Sequence, residues 1–348
     1  MTLSWLRISG ALIALAGLAA LALRRRGLLG RGEALAALVL LALFAVALAP
    51  ELADALPRLT GFTGELARVT SLLTFAVLAL TAAVLALAGR LARLRAEVDE
   101  QRCEALVERA WALRPATMQG PVDLVLVMPA YDEADNLRAL LPGRPAQLLG
   151  LEAHLVVVDD GSRDATAEVA AAHGAWAVRS PHNRGGGFAL KLGFVAARHL
   201  GARLVITLDA DGQHRFEDLP TVLAPLIAGT ADLVIGSRRL GAAVDATRVR
   251  ALGVRVFSAL LTFLTRQRIS DCASGLRGLR LARLGELRLH QARHHTAELI
   301  IEAARRRLTI AEVPITIVPR HSGQTKKGGS FGYALRFAGT ILTSWWRR

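Results

Sequence analysis

Short apolar runs alternate with helix-like segments between residues 122 and 240, and this alternation restricts the fold more than any other feature of the chain. The runs are continuously apolar, which is typical of strands buried on both faces. When helices connect such strands, the sheet is mainly parallel. We therefore predict an α/β fold, a Rossmann-like sheet with helices on both faces. The predicted strands are 124–128, 155–158, 175–178, 204–208 and 233–235, and the predicted helices between them are 136–141, 164–173 and 187–200.

Polar clusters follow the predicted strands, and the cluster after residues 204–208 is the most informative. Asp209 and Asp211 lie one residue apart there, and Gln213 follows two residues later. Two carboxylates this close raise each other's pKa, whereas a hard cation such as Mg²⁺ or Mn²⁺ prefers carboxylate oxygens. Ligands of open parallel sheets bind outside these strand ends. The pattern predicts a metal site; a solvated turn is the alternative, because Asp-Gly is a common turn pair.

The first ninety residues contain three uncharged apolar stretches, 8–23, 34–50 and 69–89. Each approaches the ~20 residues that a helix needs to cross ~30 Å of hydrocarbon. Arginines fill the loop after the first stretch and follow the third, whereas the second loop has mixed charge. The positive-inside rule then predicts an integral cell-membrane protein with three spans, its N-terminus outside and everything after Arg90 in the cytoplasm.

The formal net charge of +14 raises the question of a nucleic-acid partner. The arginines, however, lie beside the predicted spans, in helix-like stretches and at the C-terminus. The sequence contains no basic stripe interleaved with aromatic residues and no nucleic-acid-binding motif. An anionic membrane surface or phosphate-bearing ligands explain the charge, so we predict membrane association and no nucleic acid.

The chain divides into four predicted segments. The amphipathic repeat of residues 90–113 predicts a surface linker helix. The tryptophans and arginines at the C-terminus suit a membrane interface. Association of two copies through the membrane helices, a homo-oligomer, is a further expectation. The segments are a three-helix transmembrane domain (1–95), a juxtamembrane helix with its linker (96–120), the α/β domain (121–325), and a lid loop with an interfacial helix (326–348).

Seven motifs in residues 122–330 resemble, in identity and order, the family 2 glycosyltransferases of the GT-A fold. Within that family they are most similar to polyprenyl-phosphate sugar transferases such as dolichyl-phosphate mannose synthase. The N-terminal spans resemble, in hydropathy and layout, a small three-helix membrane domain that is found fused to such transferases. The motifs are residues 127–133, 158–164, 183–187, 209–214, 236–238, 271–277 and 320–326.

The resemblance implies a nucleotide-sugar donor, either GDP- or UDP-linked, and Mg²⁺ or Mn²⁺ as the cofactor. It places the metal on Asp209, Asp211 and Gln213, and it assigns catalysis to Asp209, Asp211, Arg238 and Asp271. The implied donor-binding residues are Pro129, Ala130, Tyr131, Glu133, Val158, Asp160, Asp209, Ala210, Asp211, Arg238, Arg320 and Lys326.

The implied acceptor is a polyprenyl phosphate, and the implied reaction is a single inverting transfer at the cytoplasmic membrane face. Asp271 matches a carboxylate near the acceptor, and its role stays open. A sugar hydroxyl would need a general base, whereas a phosphate monoester is already ionised; Asp271 would then orient Arg277 or the metal shell. Two alternatives remain, a transferase that uses a saccharide or glycolipid hydroxyl and a catalytically silent scaffold that binds a nucleotide sugar. Capping of a turn and helix is the alternative role for Asp159 and Asp160.

Overall fold

The computed structural model describes residues 66–120, 122–243, 248–284, 295–320, 337–341 and 344–345. The chain separates into two compact units, Met1–Arg95 with Trp346–Arg348, and Ala96–Trp345. The helices are α1 (Leu66–Ala110), α2 (Ala134–Leu140), α3 (Thr166–Ala172), α4 (Gly186–His199), α5 (Leu219–Ile227), α6 (Arg248–Thr265), α7 (Leu281–Leu284) and α8 (His295–Arg305). The strands are β1 (Leu124–Ala130), β2 (Gln147–Leu148), β3 (Leu151–Asp159), β4 (Trp176–Arg179), β5 (Leu204–Thr207), β6 (Leu233–Ala243), β7 (Arg277–Arg280) and β8 (Ile310–Ile317).

The strands form one sheet in the order β4-β3-β1-β5-β7-β6-β8, with β2 paired to the start of β3. Strands β4, β3, β1 and β5 run parallel, which confirms the predicted Rossmann-like arrangement. Strand β7 runs antiparallel to both of its neighbours, β5 and β6, and β6 pairs in parallel with β8. The residues that precede β7 therefore lie at the same sheet edge as the carboxyl ends of β1, β3, β5 and β6.

Successive side chains of the central strands enter two apolar cores, one on each face of the sheet. Val125 and Val127 of β1 join the core that contains α4 and α8, whereas Leu124 and Leu126 join the core that contains α2, α3 and α5. Helix α4 lies very close to β1, because a Cβ at Gly193 would stand 2.2 Å from the Val127 side chain. Helices cover both faces, so the site must form at an edge of the sheet.

The end of α1 is part of the α/β unit, which corrects the prediction of a surface linker helix. Cys103 and Val107 are fully buried in the core on the α4 side. The Trp176 indole on β4 also donates a hydrogen bond of 3.0 Å to the Ala110 carbonyl. The predicted apolar repeat includes Leu94 and Val98, yet both are exposed. The buried positions are offset from that repeat, because the helix presents a different face to α4.

The described part of the chain contains no helix that is both long enough and apolar enough to cross a membrane. The predicted spans at 8–23 and 34–50 lie outside the described residues. The stretch 69–89 lies within α1, where several side chains are not described. The predicted lid loop, including Lys326, and most of the C-terminal segment also lie outside the described residues. The three spans, their orientation and the four segment boundaries stay predictions.

Candidate active site

The turn after β5 presents the two carboxylates that the sequence singled out. The side chain of Asp209 is 39% exposed, whereas that of Asp211 is 11% exposed. Gly212 has φ 73°, a left-handed conformation that glycine adopts without a steric cost, and it turns the chain directly after Asp211. The Gln213 backbone amide then donates a 3.1 Å hydrogen bond to Asp211 Oδ1. This bond holds the Asp211 carboxylate at the sheet edge.

Asp211 forms an ion pair with a residue far along the chain. Arg320 Nη2 lies 3.1 Å from Asp211 Oδ2 and 3.2 Å from a carboxylate oxygen of Glu133. Burial raises the pKa of Asp211, the Asp209 charge raises it further, and Arg320 opposes both effects. Arg320 thus links the turn after β5 to the loop after β1. This contact brings together three of the predicted donor-site residues.

The donor atoms in this turn fit a hard divalent cation. Asp209, Asp211 and Gln213 offer carboxylate and amide oxygens, which suit Mg²⁺ and Mn²⁺. The raised pKa of Asp211 fits a place where added positive charge lowers the free energy. Within the described residues, no cluster of three or more His, Cys, Asp or Glu side chains has the arrangement of a metal site. A cation here would therefore complete its shell with Gln213, water or substrate phosphate.

Gly275 leaves room for the Asp209 carboxylate, a role that the sequence did not reveal. A Cβ at Gly275 would stand 2.7 Å from both carboxylate oxygens of Asp209, closer than real side chains approach. The Thr207 hydroxyl donates a 2.8 Å hydrogen bond to the Gly275 carbonyl and fixes this approach. His214 was also missed: it is buried, with Nε2 3.8 Å from Asp209 Oδ2. Gly275 and His214 lie close in sequence to residues already assigned to the site, and this proximity could have identified them.

Asp271 forms a buried ion pair with Arg238, which corrects the suggestion that it orients Arg277. Arg238 Nε and Nη2 donate to the two Asp271 oxygens at 2.6 and 3.0 Å, and the Arg238 amide adds a 3.2 Å bond. Burial alone would raise the pKa of Asp271, but Arg238 lowers it below its ordinary value. Arg277 instead donates to three backbone carbonyls, and burial lowers its pKa to about 10.

The two carboxylates at the end of β3, Asp159 as its last residue and Asp160 directly after it, bind groups of the protein itself. Asp160 accepts hydrogen bonds from the backbone amides of Arg184 at 2.9 Å and Gly185 at 2.7 Å. Burial raises the pKa of Asp160 to about 6 despite these bonds. Asp159 accepts a 2.8 Å bond from the Ser162 amide, and Arg179 Nε stands 3.2 Å from its other oxygen. Both carboxylates therefore fix loops at the sheet edge.

The loop after β1 is held against the loop after β3. Asp132 has φ 49°, and its amide donates a 2.9 Å hydrogen bond to the Ser162 hydroxyl. The Arg163 amide donates to the Asp132 carboxylate at 2.8 Å. Glu133, buried in this loop, donates from its amide to the Thr166 hydroxyl. Pro129 and Tyr131 are partly exposed beside it, whereas the side chains of Ala130 and Val158 point into the two cores. Any ligand contact from the last two would use their backbone atoms.

Comparisons with known proteins give the same fold and a family. The family model for glycosyl transferase family 2 matches residues 125–287. The fold resembles glucosyl-3-phosphoglycerate synthase of Mycobacterium tuberculosis, solved with Mn²⁺, UDP and glucosyl-3-phosphoglycerate. That likeness has a TM-score of 0.52 and 22% identity and covers 68% of this chain and 82% of that one.

Relatives that match the chain by sequence include glycosyltransferases. An uncharacterised glycosyltransferase of Mycobacterium tuberculosis is 35% identical over 60% of this chain and 90% of its own length. The polyprenol monophosphomannose synthase of Mycolicibacterium smegmatis is 32% identical over 62% and 85%. The undecaprenyl-phosphate mannosyltransferase of Micrococcus luteus is 31% identical over 61% and 90%. This chain therefore belongs to glycosyl transferase family 2 and is a glycosyltransferase.

Proposed function

We propose that this enzyme transfers a sugar from a GDP- or UDP-linked donor to a polyprenyl phosphate, with inversion at the anomeric carbon and with the help of Mg²⁺ or Mn²⁺. The observation that carries the proposal is the meeting of Asp209, Asp211 and Arg320 at one strand end, with Arg238 at the same edge of the sheet. Carboxylates for a cation and arginines for phosphates are what a nucleoside diphosphate and a lipid phosphate require. The relatives that act on polyprenyl phosphates support the acceptor.

The residues at the turn after β5 hold the donor. Asp209, Asp211 and Gln213 bind the cation, which when bound offsets the negative charge that develops on the departing nucleoside diphosphate. Arg320 pairs with Asp211 and therefore lies close enough to contact the diphosphate, and Glu133 restrains Arg320 from the other side. Lys326 is assigned the same role by its place in the sequence motif. Glu133, Tyr131 and Asp160 lie in the loops assigned to the nucleoside.

The state of Asp271 favours a phosphate acceptor over a hydroxyl acceptor. Both of its oxygens accept hydrogen bonds from Arg238, it is fully buried, and its pKa is lowered. A general base must take a proton from the acceptor, and Asp271 is poorly placed to do so. A phosphate monoester needs no base: its oxygen attacks the anomeric carbon while the bond to the nucleoside diphosphate breaks. Asp271 then acts through Arg238, which it orients toward a phosphate.

The acceptor lipid requires the enzyme to work at a membrane. We propose that the predicted spans anchor the chain with its N-terminus outside and the transferase unit in the cytoplasm. A cysteine introduced between residues 51 and 65 should react with a membrane-impermeant thiol reagent in intact cells, and a cysteine at Arg163 should not. The reverse pattern would separate the transferase unit from cytoplasmic nucleotide sugars and would contradict the proposal.

The product tests the reaction itself. Membranes that contain the protein are incubated with labelled GDP- and UDP-sugars, and the organic extract is treated with mild acid or mild base. A sugar joined through a phosphodiester to a polyprenol should be released by mild acid and should resist mild base. A labelled glycolipid that survives mild acid would exclude the phosphate acceptor and favour a hydroxyl acceptor. No transfer from any donor would favour the silent scaffold.

A further inference from the structure

The last turns of α1 place three acidic side chains against cations on α4 and on the loop before it. Asp99 and Glu104 occupy the two ends of this acidic row, and Glu100 lies between them. Lys191 is buried and also donates a 2.9 Å hydrogen bond to the Ala96 carbonyl. The ion pairs are Asp99–Arg184 at 2.6 Å, Glu100–Lys191 at 3.1 Å, Glu100–Arg198 at 2.5 Å, Glu104–Arg198 at 3.1 Å and Glu104–His199 at 2.5 Å.

The Asp99 ion pair differs from the others because its partner also touches the candidate donor site. The Arg184 side chain binds Asp99, and the Arg184 backbone amide donates to Asp160 Oδ1 at 2.9 Å. The Arg184 guanidinium also lies over the Phe188 ring, 4.5 Å from its centroid. Two contacts therefore fix the side chain while the main chain of the same residue holds Asp160.

The loop that contains Arg184 is tightly fitted around the turn after β3. Gly185 donates to Asp160 Oδ2 at 2.7 Å and has φ 93°, which only glycine adopts readily. A Cβ at Gly161 would stand 2.6 Å from the His182 carbonyl carbon. The position of residues 182–185 therefore sets the position of Asp160.

We propose that Asp99 is a positioning residue for nucleotide binding: α1 holds Arg184, Arg184 and Gly185 hold Asp160, and Asp160 lies in the loop assigned to the nucleoside. The assignment of Asp160 to the donor rests on the proposed function. The ion pair and the amide bonds are independent of it. In this arrangement a helix that precedes the residues matched by the family model adjusts the donor site.

The expected effect is moderate, because both partners are partly open to solvent. The side chains of Asp99 and Arg184 are 28% and 29% exposed. Partly screened ion pairs of this kind correspond to roughly a three- to tenfold change in binding. Asp99→Asn should raise the KM for the nucleotide sugar by that factor and leave kcat within about twofold.

Glu104→Gln in the full-length chain is the matched control. Glu104 lies on the same helix and binds Arg198 and His199 on α4, away from the 182–185 loop. Glu104→Gln should leave the KM for the donor unchanged, even where it lowers the melting temperature as much as Asp99→Asn does. Asp99→Glu should restore most of the affinity. In an Arg184→Gln background, Asp99→Asn should add nothing further.

Equal increases in KM for Asp99→Asn and Glu104→Gln would show that α1 only stabilises the fold and would overturn the proposal. An unchanged KM in Asp99→Asn would overturn it as well. Hydrogen exchange at the Arg184 and Gly185 amides, measured without nucleotide, separates this result from failure of the proposed function. Faster exchange in Asp99→Asn than in Glu104→Gln would show that Asp99 holds the 182–185 loop, even if the enzyme uses no nucleotide sugar as its donor. Equal exchange in the two variants would exclude that role of Asp99.

Discussion

Asp159 ends β3 and Asp160 follows it, Asp209 and Asp211 lie just beyond the end of β5, and all four lie at the same edge of the sheet. The first pair is almost completely buried, and backbone amides of two loops donate to it. In the second pair, Asp209 is 39% exposed and Asp211 pairs with the side chain of Arg320. Asp159 and Asp160 accept hydrogen bonds from backbone amides and so fix loops. Asp209, which reaches solvent, and Asp211, which pairs with an arginine side chain, are instead able to turn their oxygens to a metal ion.

The largest expected difference between the pairs is in catalysis. Asp211→Asn should lower sugar transfer by about 10³-fold, because a cation-binding carboxylate is lost where charge develops. The melting temperature should hold or rise, since burial and Asp209 already raise the pKa of Asp211 and an uncharged side chain relieves that repulsion. Transfer assays and thermal unfolding measure both effects.

Glu217→Gln is a suitable control for Asp211→Asn, because Glu217 follows the same turn and its side chain is 70% exposed. It should keep full activity. Undiminished transfer by Asp211→Asn in excess chelator would remove the metal-dependent mechanism and the proposed difference between the two pairs.

The second expected effect is on stability and falls on the other pair. Asp159→Asn should lower the free energy of unfolding by about 2 kcal/mol, because a buried carboxylate loses its ion pair with Arg179 and the charge that strengthens its hydrogen bond from Ser162. Urea unfolding measures the change. Asp123→Asn, which breaks the exposed pair with Arg203, should cost less than about 0.5 kcal/mol. Equal losses for both variants would contradict a structural role for the pair after β3.

The third expected effect tests the space around Asp209. Gly275→Ala should lower kcat/KM by about tenfold, because the new Cβ displaces a carboxylate that must keep its geometry. Gly253→Ala on α6 is the matched control, since a Cβ there meets nothing within 4 Å. Steady-state kinetics with both variants decide the matter. Wild-type activity in Gly275→Ala would mean that Asp209 tolerates displacement.

The smallest expected effect is the pH dependence of stability at Asp160. Its folded pKa of about 6 lies above the unfolded value of about 3.9. Its contribution to stability is therefore present below about pH 4 and is lost as pH rises through about 6. The unfolding free energy of the wild type minus that of Asp160→Asn should fall across this window and then level off. A difference that rises with pH in the window would place the Asp160 charge in a favourable environment.

Asp271 should show the opposite sign, because Arg238 lowers its pKa. Its contribution to stability is complete above the unfolded pKa and is lost only as pH falls through the lower, folded value. One measurement of stability against pH therefore tests two carboxylates, Asp160 and Asp271, whose expected effects have opposite signs.

Local patterns were sufficient to predict the parallel half of the sheet, whereas the antiparallel strand β7 and the strand β8 were not predicted. The continuous apolar runs 124–128 and 204–208 correspond to β1 and β5, because burial on both faces allows only such residues. Asp209 and Asp211 could be singled out because strand ends of a parallel sheet face one edge. The prediction that the last turns of α1 form a surface linker was wrong, because an apolar repeat gives no information on which helix face meets α4.

The sequence by itself determined three things: the succession of strands and helices from residue 122 to residue 240, the carboxylates at the strand ends, and the family to which the chain belongs. Only the tertiary structure decided which charges meet: Asp271 with Arg238, Asp211 with Arg320, and Asp99 with Arg184. Those partners are separated by 33, 109 and 85 residues. Local propensity and periodicity act over a few residues, whereas partners this distant are selected by strand order and by the packing of helices on the sheet.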